Sequence, residues 1–191
     1  MESIIQEIGT LIGDKFREEL GKLCTEVRDI SEFIVAMKST LDRAGTMLVA
    51  EALESINKSI KASRERKRHW EVKNKADAKT LVTLFGEVSY SRTYYQNKRT
   101  GEHKYLSDEA VGILPHERMD TSLKAKLIEE AIEVPYRKSA ETAAEAVQLT
   151  SQTVMNSIRE LGSVSSKAVG IKGGKKAVKN LYIEADEDHV A

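Results

Sequence analysis

The sequence contains very little cysteine, and this scarcity excludes two kinds of stabilising site. Cys24 is the single cysteine in a chain of 191 residues. The chain therefore forms no internal disulfide and has no second thiol with which to build a CxxC zinc site. The glycine-rich stretch "GIKGGKK" also lacks the GxxxxGK[ST] spacing of a phosphate-binding loop, and no strand pattern precedes it.

Long apolar runs are missing as well. No stretch of about 18 consecutive apolar residues occurs, which is what a membrane-spanning helix requires. The first residues, "MESIIQEIGTLIGDKF", carry acidic side chains and lack the basic segment of a secretory signal. These absences predict a cytoplasmic protein with no membrane partner.

The net charge is zero, but the charges are segregated along the chain. Basic residues dominate between Lys58 and Lys79, and the stretch from Leu161 to Ile183 contains lysines and no acidic residue. Blocks of cations suit a polyanion such as DNA, because each neutralised phosphate releases condensed counterions. A solvated helix face and a flexible linker are the alternative interpretation of the same blocks.

Residues 1–57 have the apolar spacing of a long helical region. Apolar residues recur every three or four positions from Ile5 to Leu48, which keeps one apolar stripe on one helix face. We expect a break near Gly45, because glycine weakens a helix. The stripe must be covered, so a homodimer is one expectation for this region and packing against a second helix of the same chain is the other.

Residues 58–79 are predicted to form a basic helix or linker, and residues 80–118 a β-hairpin or meander. Alternation over "VSYSRTYY", glycine-containing turns on either side and the following "EHKYL" are typical of two strands joined by a short loop. The exposed face of this sheet is expected to carry side chains suited to phosphate contact: Arg92, Lys98, Arg99 and Lys104.

Residues 119–162 are predicted to form a helix-turn-helix domain. "TSLKAKLIEEAIEV" has helical periodicity, and Pro135 ends that helix because it lacks a backbone donor and restricts its predecessor. "YRKSAETAAEAVQLTSQTVMNSIREL" predicts two more helices joined by a tight turn. Thr150 is the expected N-cap of the second, with Leu149 and Val154 as its hydrophobic staple.

The second helix of this pair carries polar side chains that suit the reading of DNA bases. Four are expected on its outward face: Ser151, Gln152, Asn156 and Arg159. In a helix-turn-helix such a helix lies in the major groove, where Gln and Asn can pair with adenine and Arg with guanine. Arg137 and Lys138 are expected to hold the phosphate backbone. Helix pairs of this kind also occur in proteins that never touch DNA.

Residues 163–179 have the composition of a basic flexible linker, and residues 180–191 that of a strand with an acidic end, "LYIEADEDHVA". Several carboxylates around one small volume suit divalent metals, which prefer hard anionic oxygen ligands. Asp186 is the best placed of these carboxylates, and Glu184 and Asp188 are weaker choices. On spacing alone, an acidic tail is the more ordinary interpretation.

Five motifs in this order resemble the N-terminal part of the ISLre-type insertion-sequence transposases, a group that includes uncharacterised transposase-like proteins. They are "FGEVSYSRTYYQNKRTGEHKYLSDEAVGI", "LPHERMDTSL", "VPYRKSAETAAEA", "LTSQTVMNSI" and "LYIEADEDHVA". Their order and spacing together are far more specific than any one of them. The resemblance extends over nearly the whole chain.

The resemblance implies a mainly α fold with a small β-hairpin or meander, in which the helix-turn-helix region binds double-stranded DNA at the ends of the element. An RNase H-like domain of the DDE type would follow, with residues 180–191 as its first strand. Three acidic residues of such a domain bind two Mg²⁺ or Mn²⁺ ions, and Asp186 matches the first of them. The other two have no counterpart in this sequence. The chain is therefore expected to be truncated, without a cofactor of its own, and to bind DNA without cutting or joining it.

Two further functions remain open. A stand-alone helix-turn-helix transcriptional regulator would dimerise through the N-terminal helices and need a palindromic site with half-sites about 34 Å apart. A helical protein-interaction module would bind another protein, and its binding would lack the steep salt dependence that phosphate contacts cause.

Overall fold

The computed structural model describes residues 2–26, 29–143 and 147–162. The helices are α1 (Glu2–Thr25), α2 (Ile30–Ala62), α3 (Arg64–His69), α4 (Leu106–Ala110), α5 (Thr121–Glu133), α6 (Tyr136–Ala143) and α7 (Ser151–Glu160). The strands β1 (Trp70–Thr83), β2 (Gly86–Asn97) and β3 (His103–Lys104) form one antiparallel sheet in the order β1-β2-β3. A mainly helical fold with a small antiparallel sheet is confirmed. The predicted linker at 163–179 and the RNase H-like strand at 180–191 lie outside the described residues.

The two N-terminal helices pack against each other, and the break between them is not where we expected it. It falls between Thr25 and Ile30, where the Asp29 side chain accepts a hydrogen bond from the Ser31 amide and caps α2. Gly45 lies inside α2, and a Cβ at this position would collide with the Phe85 ring. The glycine therefore serves close packing against the β1–β2 turn and does not interrupt the helix.

The first strand begins at Trp70, well before the expected change of character at Thr80. The predicted basic helix or linker at 58–79 is therefore wrong over its second half. Pairing with β2 runs from Trp70↔Asn97 to Thr83↔Gly86, with register shifts between Val72 and Asp77. This pairing partner lies far along the sequence, and it overrides the weak strand propensity of a lysine-rich segment.

Both predicted glycine turns are present. Gly86 has a φ of 120° after the two-residue loop Leu84–Phe85, and Thr83 Oγ1 accepts from the Phe85 amide while donating to the Gly86 carbonyl. Gly101, with a φ of 75°, closes the second turn. The returning strand is only two residues long, since α4 begins directly after Tyr105.

The helix α2 lies against the sheet through a small core and one polar contact. Leu53 packs with Leu81, Val88 and Tyr90. Nearby, the Asn57 side-chain amide donates to the Ser91 carbonyl at 3.3 Å and accepts from the Thr93 amide at 3.1 Å. Both ends of one amide group therefore bind the β2 backbone.

The helices α5, α6 and α7 surround a separate apolar core made of Met119, Leu123, Leu127, Ala140, Ala143 and Val154. The Val82 amide donates to the Arg118 carbonyl and the Asp120 amide to the Val82 carbonyl, which ties this core to β1. Val134 is the C-cap of α5, directly before Pro135, so the predicted helix end is confirmed. No helix in the described ranges has the length and apolar content needed to cross a bilayer.

Candidate nucleic-acid interface

One face of α7 packs on the three-helix core and the other is exposed. Val154 is fully buried, and Ser157 on the inward side donates to the Thr153 carbonyl at 3.0 Å. The predicted N-cap is confirmed, because Thr150 Oγ1 accepts from the Thr153 amide. The four polar residues expected on the outward face are all exposed: Ser151, Gln152, Asn156 and Arg159.

Two of these side chains already form a pair. Gln152 Nε2 donates to Asn156 Oδ1 at 2.9 Å, one helical turn apart. This bond leaves the Gln152 carbonyl oxygen and the Asn156 amide nitrogen available to a second partner. An acceptor beside a donor is complementary to the N6 amino group and N7 of adenine in the major groove.

The cations predicted to hold phosphate lie at the start of α6. Arg137 Nε is 3.2 Å from Glu141 Oε1 and Lys138 Nζ is 3.9 Å from Glu141 Oε2, with side chains 86% and 65% exposed. Exposed ion pairs of this kind contribute little to stability, so both cations can exchange Glu141 for another anion at small cost.

The exposed face of α7 rests on a rigid support. Ser139 Oγ, fully buried, donates to the Leu127 carbonyl at 2.7 Å and fixes α6 on α5. Lys124 Nζ bridges Glu117 at 2.7 Å and Glu160 at 2.9 Å, which holds the C-terminal end of α7 on α5. The hydrogen bond to Glu117, and then that to Glu160, raises the pKa of Lys124 against the opposing effect of burial. The segment between α6 and α7 includes residues 144–146, which lie outside the described residues.

The sheet presents only some of the cations that the sequence predicted on its surface. The Lys79 and Arg92 side chains, 7% and 16% exposed, both pair with Asp108, which is itself buried. Tyr90 donates to Asp108 Oδ1 at 3.0 Å, and burial followed by this carboxylate raises the pKa of the Tyr90 phenol. Buried charges require such partners, so Lys79 and Arg92 serve the fold.

Of the four cations predicted on the sheet surface, Arg92 and Lys104 both contact other side chains. Arg92 also stacks on the Tyr105 ring, 3.5 Å from its centroid. Lys104 pairs with Glu102 at 3.1 Å and Glu109 at 3.2 Å. Our expectation that Arg92 is available to phosphate is therefore wrong. Lys104 is half-buried and forms ion pairs with two exposed glutamates, whereas Lys98 and Arg99 are exposed without a carboxylate partner among the described residues. Asp108 decides the outcome for Arg92, and no local sequence pattern identifies it as the partner of that side chain.

Lys98 and Arg99 lie beside the short helix α3. The Lys98 amide donates to the His69 carbonyl at 2.9 Å, and Lys98 Nζ donates to the Lys67 carbonyl at 2.7 Å. The surface so formed, which we call the basic end of the sheet, consists of five exposed cations: Arg64, Lys67, Arg68, Lys98 and Arg99. Sequence reasoning found the cations of α3 but not the approach of the turn, because that contact joins distant parts of the chain.

The predicted metal-binding residue belongs to the C-terminal segment of the sequence. Asp186 lies outside the described residues, as do Glu184 and Asp188. Within the described residues, no group of three or more His, Cys, Asp or Glu side chains is arranged to hold a metal ion.

Comparison with known proteins places the chain among proteins of unassigned role. Residues 23–191 match the model of an uncharacterised protein family, UPF0236. UPF0236 protein TTE0402 of Caldanaerobacter subterraneus subsp. tengcongensis is 39% identical over 189 residues, 99% of this chain and 38% of that protein. UPF0236 protein TTE2489 of the same organism is 41% identical over 173 residues, 91% of this chain and 37% of that protein.

A more distant relative occurs in another genus. The UPF0236 protein in the vanSb 3′ region of Streptococcus gallolyticus is 26% identical over 175 residues, 88% of this chain and 37% of that protein. The chain thus spans less than two fifths of the length of these curated relatives. No solved structure matches the chain.

Proposed function

We propose that this chain, which belongs to the uncharacterised family UPF0236, binds double-stranded DNA and is the DNA-recognition part of an insertion-sequence transposase. The observation that carries the proposal is the exposed polar face of α7 on a three-helix unit with a closed core. A helix that reads bases must offer polar groups to the groove while its other face fixes its position.

DNA strand transfer is proposed only for proteins of the relatives' own length, of which this chain spans 38% in one case. Asp186 would be the first of the metal-binding carboxylates, and Mg²⁺ or Mn²⁺ would be the metal. The test is Asp186→Asn in a protein that joins this chain to the remaining part of such a relative. We expect loss of DNA cleavage with unchanged DNA affinity, and retained cleavage would remove Asp186 from the proposed site.

We also propose that α2 binds a second copy of the chain. Five large apolar side chains of α2 are each at least half exposed: Ile30, Ile34, Val35, Leu41 and Leu48. Ile34, Leu41 and Leu48 recur at the heptad spacing of a coiled-coil seam. Sedimentation should show a concentration-dependent dimer that Leu41→Glu dissociates, and a monomer at all concentrations would contradict this part of the proposal.

The DNA-binding proposal is tested by selecting bound duplexes from a random-sequence library. The chain should enrich a defined motif, and Asn156→Ala with Arg159→Ala should relax the preference at the contacted positions. Each lost bidentate contact is expected to reduce discrimination by about 1–3 kcal/mol. A matched control is Lys126→Ala with Glu129→Ala on α5. Enrichment of the same motif by the α7 variant would show that this helix does not read bases.

The selected motif also separates the remaining alternative. The exposed seam of α2 is the observation that favours a dimeric transcriptional regulator. A palindrome with half-sites about 34 Å apart would support that function. Binding to proteins with no salt-dependent DNA affinity would instead support an interaction module.

A further inference from the structure

We propose that the basic end of the sheet is a second contact surface for the phosphates of the duplex that α7 reads. The inference rests on the proposed function, because it assigns this surface a place on the same DNA. The five exposed cations of the surface come from α3 and from the β2–β3 turn, and the hydrogen bonds of Lys98 to His69 and Lys67 hold the two segments together.

The cations of this surface differ from most exposed cations elsewhere in the described chain. Along α1 and α2, Lys15, Arg17, Lys22 and Lys58 each lie within 4 Å of a carboxylate of the same helix. The five cations of the basic end have no carboxylate partner among the described residues. Glu65 is the one acidic residue in α3. Positive charges gathered on one surface repel one another, and binding of a polyanion reduces that repulsion.

The surface is held firmly enough to present its charges in a fixed arrangement. Ser63 caps α3 by accepting from the Arg66 amide at 3.1 Å. The Arg66 guanidinium lies 5.7 Å above the centroid of Tyr95, whose side chain is fully buried, and donates to the Lys61 carbonyl. Arg66 thus anchors α3 to the sheet, which leaves its neighbours to face outward.

The basic end and the three-helix unit lie near opposite ends of β1. The basic end lies beside Trp70 at the start of β1, whereas the three-helix unit is joined to β1 at Val82. Twelve residues of strand separate these points, roughly 40 Å at the usual rise per residue. One turn of B-DNA measures about 34–36 Å, so a duplex that contacts both surfaces is covered over more than one turn.

The test compares the salt dependence of DNA binding between variants that each lose two positive charges. Lys98→Ala with Arg99→Ala and Arg64→Ala with Arg68→Ala remove cations of the basic end. Arg17→Ala with Lys38→Ala removes two from the N-terminal helices and is the control. The probe is a duplex of about 30 base pairs, close to three helical turns, carrying the motif selected by the unaltered chain.

We expect each pair at the basic end to make the negative slope of log K against log salt shallower by about two, since each phosphate contact contributes about −0.9. The selected motif should be unchanged, and hydroxyl-radical protection should shorten on one side of it. The control should keep the slope and the protection of the unaltered chain. Because Lys98→Ala also breaks the bond to Lys67, Lys98→Arg with Arg99→Lys is added and should restore the slope.

The outcomes separate the two proposals. Slopes and protection equal to those of the control would overturn the second surface, while a relaxed motif in the Asn156 and Arg159 variant would leave the proposed function standing. No salt-dependent binding of the unaltered chain to any duplex would overturn the proposed function and this inference together.

Discussion

The three-helix unit buries the apolar faces of its helices, whereas the N-terminal helices leave part of theirs exposed. Leu123, Leu127 and Val154 of the first are fully buried. In the second, Ile34 is 58% exposed and Leu41 52%, although they belong to a longer and more regular apolar pattern. Strong periodicity therefore indicates that a helix has an apolar face, and says nothing about whether the chain itself covers that face.

The difference has a geometric cause. Three short helices enclose an interior, so each can turn its apolar face toward two others. Two helices meet along a single line, where Phe16 and Phe33 contact edge to face with centroids 6.1 Å apart. A stripe wider than that line remains in water.

We expect the largest difference between the two regions when one leucine of each is replaced by alanine. Leu127→Ala should cost about 2–5 kcal/mol in the free energy of unfolding, because it leaves a cavity in a closed core. Leu41→Ala should change the free energy of unfolding by no more than about 0.5 kcal/mol at high dilution, as expected for an exposed site. Urea denaturation measures both. A cost at Leu41 that grows with protein concentration would show the seam of α2 to be covered by a second copy.

The contact between α2 and the β1–β2 turn tests how firmly the N-terminal helices are joined to the sheet. Gly45→Ala should cost about 1–3 kcal/mol, because the new methyl group meets the Phe85 ring. Thermal unfolding of Gly45→Ala, Phe85→Ala and the double variant checks this. Adding Gly45→Ala to Phe85→Ala should cost little further stability, and simple additivity of the two costs would show that the residues do not contact each other.

A single buried hydroxyl tests the rigidity of the three-helix unit. Ser139→Ala removes the hydrogen bond to the Leu127 carbonyl and leaves that oxygen without its side-chain donor. We expect a loss of about 1 kcal/mol in the free energy of unfolding. Ser122→Ala, at an exposed position of α5, is the matched control. Equal effects of the two substitutions would contradict a special role for Ser139.

Acid should weaken α1 more than the three-helix unit. Hydrogen bonds from Lys15, and then from Lys22, lower the pKa of Glu19 to about 2. A pKa below the ordinary 4.5 means that the stabilisation is complete above pH 4.5 and is lost as the pH falls toward 2. Circular dichroism melts should show the unaltered chain above Glu19→Gln in melting temperature at pH 7 and equal to it near pH 2. A constant difference would contradict the shift.

The sequence was most informative where local chemistry decides the structure. Pro135 and the Thr150 cap mark helix ends through their own backbone and side-chain groups, and the exposed face of α7 followed from helical periodicity. These signals are readable within one turn of helix. They placed the four polar residues of the α7 face on the surface, whereas Met155, also expected near that face, is half-buried.

It was least informative where partners are distant in sequence. The sequence places Lys79 and Arg92 among the cations of a basic surface, whereas the structure pairs both with Asp108. The early start of β1 likewise depends on Asn97 and its neighbours in β2. Local charge patterns cannot reveal such pairs, because pairing is settled only when the sheet and α4 come together.

The Asn57 amide has a mechanical consequence. Because it grips two backbone groups of β2 at once, a slide of α2 by even one residue, about 1.5 Å, would break both bonds. These two bonds therefore fix the position of the long helix along the hairpin. A partner that binds the N-terminal half of α2 would therefore also fix the position of the far end of the β1–β2 hairpin.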